Sequence, residues 1–460
     1  MIRTFVSRLG KLRTQGVLPT IVCRLRELVR MDRHLEEVVR GAVVAFVIQG
    51  LGTGLGFGFN MLLGRLLGAE GAGIYYLALT VTTTATIVGR MGLDNALLRF
   101  TASNVAVGNW AKVAGVYRKG MGLAISASFV STVIVFIGAP WIAQFVFAEP
   151  TLVSPLRWMS FGILPMSLLV LHAGLLKGLK RIRDAMLVSS VGIPLLSLPI
   201  LVMLNGSLGT ASAVIAHVVS IILVSLLGVA LWRRATPELR DLTGHFDTRL
   251  LITTGLHLFG VALMSSMSRT GDTLLLGVWA SSKSVGIYGI ATRTAVLTNL
   301  VLLPVNSIVS AKFAALYTQG DFDALSALTR NTARLVTFFA VLVVLPLIVV
   351  PQWVLRLFGQ DFVVGAPVLA ILAIGQFVRA ATGSLGPLLI MSGHEKVLQR
   401  LVMFSVAVNL LLGVILIPDY GLLGAAITRA FSLILLSLLA LRAVYKHLGI
   451  SLVSLRKGQL

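Results

Sequence analysis

The chain has 460 residues, of which 57% are hydrophobic and only 12% are charged, and this composition excludes an ordinary soluble domain. A helix needs roughly 20 apolar residues to span a hydrocarbon core of about 30 Å, and such runs follow one another along most of the sequence. The formal net charge of +22 lies in short segments between apolar runs and not in a separate basic domain, so nucleic acid is not an expected partner.

Residues 1–40 form a basic N-terminal extension ahead of the first apolar run and do not resemble a cleaved signal peptide. Residues 21–30 alternate apolar and basic side chains, a pattern that suits an amphipathic helix on an anionic leaflet and equally a solvated tail. The single cysteine, Cys23, excludes a disulfide framework and a cysteine-based metal site.

Twelve apolar segments follow and predict an all-α polytopic membrane protein, because lipid-exposed backbone must satisfy its own hydrogen bonds. They predict two six-helix bundles, residues 41–231 and 250–445, joined by a linker at 232–249 and followed by a basic tail at 446–460. The predicted spans are 41–64, 72–93, 120–147, 153–176, 184–204, 208–231, 250–278, 285–310, 332–355, 363–389, 398–417 and 420–441.

The distribution of Lys and Arg tests this topology independently of hydropathy. With the N-terminus placed in the cytoplasm, the cytoplasmic segments carry 31 of the 39 basic residues and the outer segments carry four. The positive-inside rule therefore predicts a multi-pass inner-membrane protein with both termini in the cytoplasm.

Short motifs recur between the two halves and predict an internal repeat. Leu62-Leu63-Gly64 returns as Leu275-Leu276-Gly277, and Gly73-Ile74-Tyr75 returns as Gly286-Ile287-Tyr288, both at an offset of 213 residues. A further match relates 213–227 to 425–439 at an offset of 212. Because the offset equals six helices, the halves have the same orientation, which is one plan of secondary transporters with a substrate site between the repeats.

Four arginines fall inside predicted spans, all in the second half of the chain. Each costs at least about 2.5–3.5 kcal/mol to insert, so it must face protein, water or a ligand. A guanidinium offers bidentate donors to phosphate oxygens, whereas snorkelling or internal pairing is the alternative structural explanation. The candidate substrate-binding residues are Arg269, Arg293, Arg379 and Arg429.

Other polar residues in the spans are candidates for a hydrophilic cavity or for ion coupling. Asp272 lies three residues after Arg269, so the two can form an ion pair on one helix face, and Asp272 can alternatively serve as a proton or sodium site. The repeat aligns His217 with Arg429. Polar cavity candidates in the first span are Gln49 and Asn60, which helix-to-helix hydrogen bonding would also explain.

Signals for catalysis are absent from the sequence. It contains no Walker loop, no His-Glu-x-x-His motif and no nucleophile elbow, so we expect a transporter without cofactor or metal and not an enzyme. The glycines between 50 and 58 lie within an apolar span, where they favour close helix packing over a phosphate-binding loop.

Several segments resemble the polysaccharide-biosynthesis membrane proteins, which include the O-antigen-type flippases. The similarity is distributed over residues 41–445. The segments that carry it are Gly64–Tyr76, Gly92–Phe100, Asp272–Gly277, Val285–Tyr288, Phe358–Phe362 and Ile417–Ala426.

The resemblance implies the fold of the multidrug-extrusion transporters, with two six-helix bundles arranged in a V. It also implies translocation of undecaprenyl-pyrophosphate-linked oligosaccharide for O-antigen, exopolysaccharide or capsule assembly, by alternating access. A polysaccharide polymerase and a chain-length regulator are candidate partners on the same basis.

Three alternatives remain open from the sequence. A cation-coupled multidrug or metabolite exporter of the same fold would prefer acids and aromatics in its cavity. A lipid II flippase commonly has two further helices. A membrane-embedded glycosyltransferase or polymerase would normally show a large loop or catalytic acids at the end of a span.

Overall fold

We describe the protein from a computed structural model. The description covers residues 33–204, 208–239 and 242–451. Cys23, most of the predicted N-terminal extension and residues 452–460 of the predicted tail lie outside the described residues. Within the described part, the regular structure is entirely helical.

The described residues of the first half form eight α-helices, several of them broken or extended by short π or 3-10 turns. They are α1 (Arg33–Arg90), α2 (Leu93–Ala106), α3 (Trp110–Trp141), α4 (Val153–Ser160), α5 (Ile163–Gly178), α6 (Ile182–Met186), α7 (Gly192–Leu204) and α8 (Thr210–Ala235).

The described residues of the second half form eight more, and their order of long helices parallels that of the first half. They are α9 (Thr248–Trp279), α10 (Ser282–Ala295), α11 (Asn299–Gln319), α12 (Phe322–Val349), α13 (Pro351–Arg356), α14 (Ala366–Ala381), α15 (Leu385–Met391) and α16 (Glu395–Leu448).

The number of membrane crossings agrees with the sequence prediction. Eight helical segments are long and apolar enough to span, and α4 with α5, bent by 47°, forms a ninth. Both α1 and α16 contain two helices that meet at a positive-φ glycine, Gly68 and Gly421 respectively. The run 282–319 supplies one more segment of sufficient length. The described residues therefore form an all-α bundle of about twelve crossings.

Hydropathy misplaced some helix ends, because helices continue beyond the apolar part of the sequence. The predicted span 332–355 is instead α12, which begins at Phe322 because the Asp321 side chain accepts a hydrogen bond from the backbone N–H of Ala324. This helix ends at Val349, and Pro351 starts a separate short helix. The polar helix α2 was not predicted.

The two halves are joined at one end of the bundle and separate at the other. At the joined end, which we call the closed end, one apolar core contains buried side chains from both halves, including Tyr76, Tyr288 and Phe358. At the opposite end, one core surrounds Trp232 and a separate one surrounds Phe313. We call this the basic end, because the segments beside it hold most of the Lys and Arg residues. A cleft therefore lies between the halves.

The repeated Gly-Ile-Tyr motif makes a backbone-to-backbone contact between the halves at the closed end. A β-carbon at Gly73 would collide with the carbonyl oxygen of Ser282, and one at Gly286 would collide with the carbonyl oxygen of Ala69. The 213-residue offset relates both pairs of positions, so the contact is pseudo-symmetric. Glycine is needed on both helices because this approach leaves no room for a side chain.

Polar contacts add to the closure. The Ser282 hydroxyl donates a 2.5 Å hydrogen bond to Glu149, and the Thr151 hydroxyl donates a 2.6 Å bond to the same carboxylate. Arg65 donates through Nε to the carbonyl oxygen of Leu357 at 2.7 Å. The bonds from Ser282 and Thr151 lower the pKa of Glu149, since they favour its charged form.

We expect Gly286→Ala to force α1 and α10 apart and open the closed end. Spin labels on cysteines at Glu70 and Lys283, with Cys23 replaced by serine, should then give a longer distance by double electron–electron resonance. Gly122→Ala is the matched control, since nothing lies within 4 Å of a β-carbon built there. An unchanged distance in the Gly286 variant would contradict a contact that holds the halves together.

The closed end should also loosen in acid. The pKa of Glu149 is lower in the folded protein than its ordinary value of 4.5. The stabilisation that its charged form gives to the closed end is therefore fully present above pH 4.5 and is lost as the pH falls through the folded pKa. The same spin-label pair should therefore separate below pH 4.5. Glu149→Gln has no titrating group at this position and should abolish the pH response; a response that persists in this variant would assign it to another group.

Candidate functional site

A cavity of about 380 Å³ lies in the middle of the bundle between the two halves, and we call it the deep cavity. Three of the four candidate arginines line it, and six threonines and Asn60 surround them. Its lining residues are Thr53, Gly56, Phe57, Asn60, Thr80, Arg269, Thr270, Thr273, Thr292, Arg293, Thr294, Val296, Leu297, Phe358 and Arg429.

A second cavity, of about 420 Å³, lies nearer the basic end, and we call it the mouth cavity. It contains the fourth arginine, Arg379, together with Gln49. Thr53 and Val296 line both cavities, so the two adjoin. Its polar lining is Gln49, Thr53, Asn299, Asn306, Arg379, Thr382 and Ser437.

Arg293 is positioned by residues of the first half. Its guanidinium lies 3.8 Å from the centroid of the Tyr76 ring, and Nη1 donates to the carbonyl oxygen of Gly289 at 3.2 Å. The Tyr76 hydroxyl donates at 2.7 Å to Asn60, whose amide donates to Gly56. Stacking on a ring holds the guanidinium plane and leaves N–H groups at its edge for a ligand.

Arg429 forms a buried ion pair with Asp272. Their side chains approach to 3.1 Å, with Asp272 1% exposed and Arg429 9% exposed. Arg429 also donates to the carbonyl oxygen of Ser268, and the Tyr288 hydroxyl donates to the same Asp272 oxygen at 3.1 Å. The predicted pairing of Asp272 with Arg269 is wrong: the carboxylate faces α16 across the helix interface and not the neighbouring turn of its own helix.

The Asp272 pair lies in a polar cluster whose bonding is incomplete among the described residues. Asp272 Oδ1, Asn409 Oδ1, Thr428 Oγ1 and Arg429 Nε are buried and have no hydrogen-bond partner there. The described residues contain no group of three or more His, Cys, Asp or Glu that could hold a metal ion. A coupling-ion role for Asp272 stays a prediction, and its role in an ion pair is evident.

Arg269 and Arg379 are the accessible arginines of the site. Both side chains are exposed, Arg269 in the deep cavity and Arg379 in the mouth cavity. Neither takes part in an ion pair among the described residues. Their positive charges are therefore available to an anion that enters the cleft.

The structure places His217 outside the two cavities. Its ring packs edge-on against Tyr75, with centroids 5.9 Å apart. The repeat nevertheless appears in the packing, because Tyr75 corresponds to Tyr288, which shares Asp272 with Arg429. His217 thus packs directly on its tyrosine, whereas Arg429 is linked to the equivalent tyrosine through Asp272, and of the two only Arg429 lines one of the two cavities.

Sequence reasoning missed the residues that orient the arginines and the hydroxyls that surround them. Tyr76 carries no signal of its own, since aromatic residues are common in apolar spans. The spacing of hydroxyl side chains could have indicated the cavity-lining face of α9. Thr270 and Thr273 lie three residues apart on that face, and both line the deep cavity.

The deep cavity is suited to a ligand with several negatively charged oxygens. It combines three guanidinium groups with threonine hydroxyls, and one carboxylate nearby balances only one of the three charges. Such a site attracts phosphate groups and repels cations.

Comparison with known proteins agrees with this chemistry. A family model described as polysaccharide biosynthesis protein matches residues 38–311. A probable flippase, AglR of Haloferax volcanii, is 32% identical over 182 residues, which cover 38% of this chain and 37% of AglR. The chain thus matches well under half the length of that relative.

Solved structures share the fold at low sequence identity. The lipid II flippase MurJ, in an inward closed conformation, has a TM-score of 0.70 with 14% identity, covering 87% of each chain. An inward-facing multidrug resistance transporter of the MATE family has a TM-score of 0.68 with 15% identity, covering 89% of this chain and 98% of that one. The chain therefore shares the fold of these transporters, which is the fold that the resemblance to polysaccharide-biosynthesis membrane proteins implied.

Removing one partner of the Asp272–Arg429 pair should destabilise the protein more than removing both charges. A buried charge left unpaired costs about 3–5 kcal/mol, so Arg429→Gln or Asp272→Asn alone should lower the thermal unfolding midpoint markedly. The double variant should recover much of the loss, as a double-mutant cycle would measure. Additive effects of the two substitutions would show that the side chains do not interact.

Proposed function

Because this chain belongs to the polysaccharide biosynthesis protein family, we propose that it is a flippase that translocates polyprenyl-diphosphate-linked oligosaccharide across the membrane. The undecaprenyl lipid is the carrier we assign. The protein serves a pathway that assembles O-antigen, exopolysaccharide or capsule in this proposal.

The observation that carries the proposal is the excess of positive charge in the deep cavity. Arg269, Arg293 and Arg429 line it, and only Arg429 has an acidic partner among the described residues. Guanidinium groups within a membrane-spanning bundle must face protein, water or a ligand, and a cavity with unpaired cations attracts an anion. A diphosphate supplies two phosphoryl groups that can accept hydrogen bonds from Arg269 and Arg293 together.

The substrate enters from the basic end in this proposal. In this proposal the protein lies in the inner membrane, and its basic end and both termini face the cytoplasm. The reason is that Lys and Arg accumulate on cytoplasmic segments of membrane proteins. The headgroup occupies the cavities while the polyprenyl chain remains in lipid, passing out between the halves. Large apolar side chains such as Phe129, Ile137 and Phe338 are exposed on the outer face of the bundle, as lipid contact requires.

Turnover proceeds by alternating access. Separation of Gly73 from Ser282 and of Gly286 from Ala69 opens the closed end, while the two cores at the basic end come together. The Asp272–Arg429 pair can couple the cycle to a proton or sodium ion by releasing Arg429 when Asp272 is neutralised. A downstream polymerase and its chain-length regulator are the proposed partners that remove product.

An exporter of cationic drugs on the same fold is less consistent with the cavity. A lipophilic cation would have to enter a site lined by three guanidinium groups, where the nearest carboxylate, Asp272, is already paired. Like-charge repulsion in such a setting disfavours binding.

A reconstituted flipping assay tests the proposal. Liposomes containing the protein and a fluorescent short-chain polyprenyl diphosphate saccharide are treated with a membrane-impermeant quencher, and the protected fraction is followed with time. We expect Arg293→Gln and Arg269→Gln to lower the initial flipping rate by about tenfold or more, because each removes charged hydrogen bonds to phosphate.

Arg157→Gln is the matched control, since Arg157 is exposed and lines neither cavity. It should leave the rate unchanged. Wild-type protein that moves a fluorescent organic cation but not the diphosphate-linked probe would overturn the flippase proposal in favour of the exporter.

A further inference from the structure

The mouth cavity differs in chemistry from the deep cavity. The deep cavity presents three guanidinium groups and threonine hydroxyls, whereas the mouth cavity presents three carboxamides and a single guanidinium. Carboxamides both donate and accept hydrogen bonds, so they match neutral hydroxyl groups better than phosphate oxygens. The two cavities are thus built for different parts of a ligand.

The carboxamides of the mouth cavity keep unused hydrogen-bonding groups within the part of the chain that the structure describes. Asn306 Oδ1 is buried and has no hydrogen-bond partner among the described residues. Gln49 and Asn299, at opposite walls on α1 and α11, likewise make no side-chain hydrogen bond in the described part. Buried polar groups are normally bonded, so the free Asn306 oxygen, in a cavity that the half-buried Gln49 and Asn299 also line, points to a polar ligand.

The hydroxyls of this cavity are arranged as acceptors. Thr53 donates to Gln49, Thr382 donates to Arg379 and Ser437 donates to Leu433, in each case to a backbone carbonyl oxygen of the same helix or turn. Their lone pairs remain free to accept from a ligand hydroxyl. This combination of free carboxamides and accepting hydroxyls suits a saccharide.

Arg379 places a positive charge in the mouth cavity, and a neutral sugar has no anionic group to pair with it. It forms no ion pair and no side-chain hydrogen bond within the described residues, and its side chain is exposed in the cavity. A planar guanidinium pairs with a carboxylate in bidentate geometry. Since the proposed diphosphate site uses Arg269 and Arg293 of the adjoining deep cavity, Arg379 is left for a second anionic group.

We propose that the mouth cavity is a saccharide subsite that binds a carboxylated sugar, with Arg379 on the carboxylate and Asn306, Asn299 and Gln49 on ring hydroxyls. This inference rests on the proposed function and names its substrate class. Thr53 and Val296 line both cavities, so a sugar joined directly to a diphosphate in the deep cavity extends into the mouth cavity.

Binding to purified full-length protein in detergent tests the subsite. The probes are synthetic short-chain polyprenyl diphosphates that carry either glucose or glucuronic acid. The two sugars differ only in that a carboxylate in glucuronic acid replaces the hydroxymethyl group of glucose. We expect wild-type protein to bind the glucuronic acid probe about tenfold or more tightly, as a charged hydrogen-bonded pair implies. Arg379→Gln should abolish this preference by weakening binding of the glucuronic acid probe far more than binding of the glucose probe, whereas Arg379→Lys should retain part of it.

The controls separate this subsite from the diphosphate site. Arg293→Gln should weaken both probes equally, and Asn306→Ala should weaken both relative to the unglycosylated diphosphate. Equal wild-type affinity for the two probes, or an equal loss for both in Arg379→Gln, would overturn the subsite alone. If neither probe binds better than the free polyprenol, the proposed function fails and the subsite with it.

Discussion

Uncompensated positive charge inside a membrane-spanning bundle is the constraint on which this structure depends. Four arginines lie within apolar helices, and Asp272 pairs with one of them. Burial of a guanidinium without an anion or water is expensive, so the bundle must keep a cleft in which these groups stay accessible. The two adjoining cavities meet that requirement, and in the proposed function a diphosphate headgroup supplies the missing negative charge.

The same constraint explains why one arginine differs from the rest. Arg429 is buried and held by Asp272, whereas Arg269 and Arg379 are exposed in the cleft and the guanidinium of Arg293 lies over the Tyr76 ring. Tyr76 belongs to the first half and Arg293 to the second. A ligand bound to Arg293 is therefore sensitive to the relative position of the halves, which is how an anion can favour one conformation over another.

Closure at one end depends on the repeat. Because Gly73 and Gly286 are equivalent positions, each supplies the space that the other helix needs, and one pseudo-symmetric contact holds the two halves. Serine and glutamate add hydrogen bonds at the same end, through Ser282 and Glu149. Opening this end must also part apolar side chains, because one core there contains buried residues of both halves.

Much of the fold was predictable, because apolar length, the positive-inside pattern and the repeat are local or periodic signals. The arginines were found for the same reason, as charges within apolar spans. The partner of Asp272 was not, since Arg429 is distant in sequence and only the packing of α9 on α16 brings them together. Stacking on Tyr76 and the carboxamides at Asn299 and Asn306 likewise depend on how helices face one another.

The central claim is that the deep cavity binds the diphosphate of a lipid-linked saccharide. An experimental structure of the protein with a bound short-chain polyprenyl diphosphate saccharide tests it most directly. The account predicts diphosphate density between Arg269 and Arg293, with the sugar directed toward Arg379 and the prenyl chain leaving between the halves. Diphosphate density outside both cavities, with Arg269 and Arg293 unliganded, would contradict it.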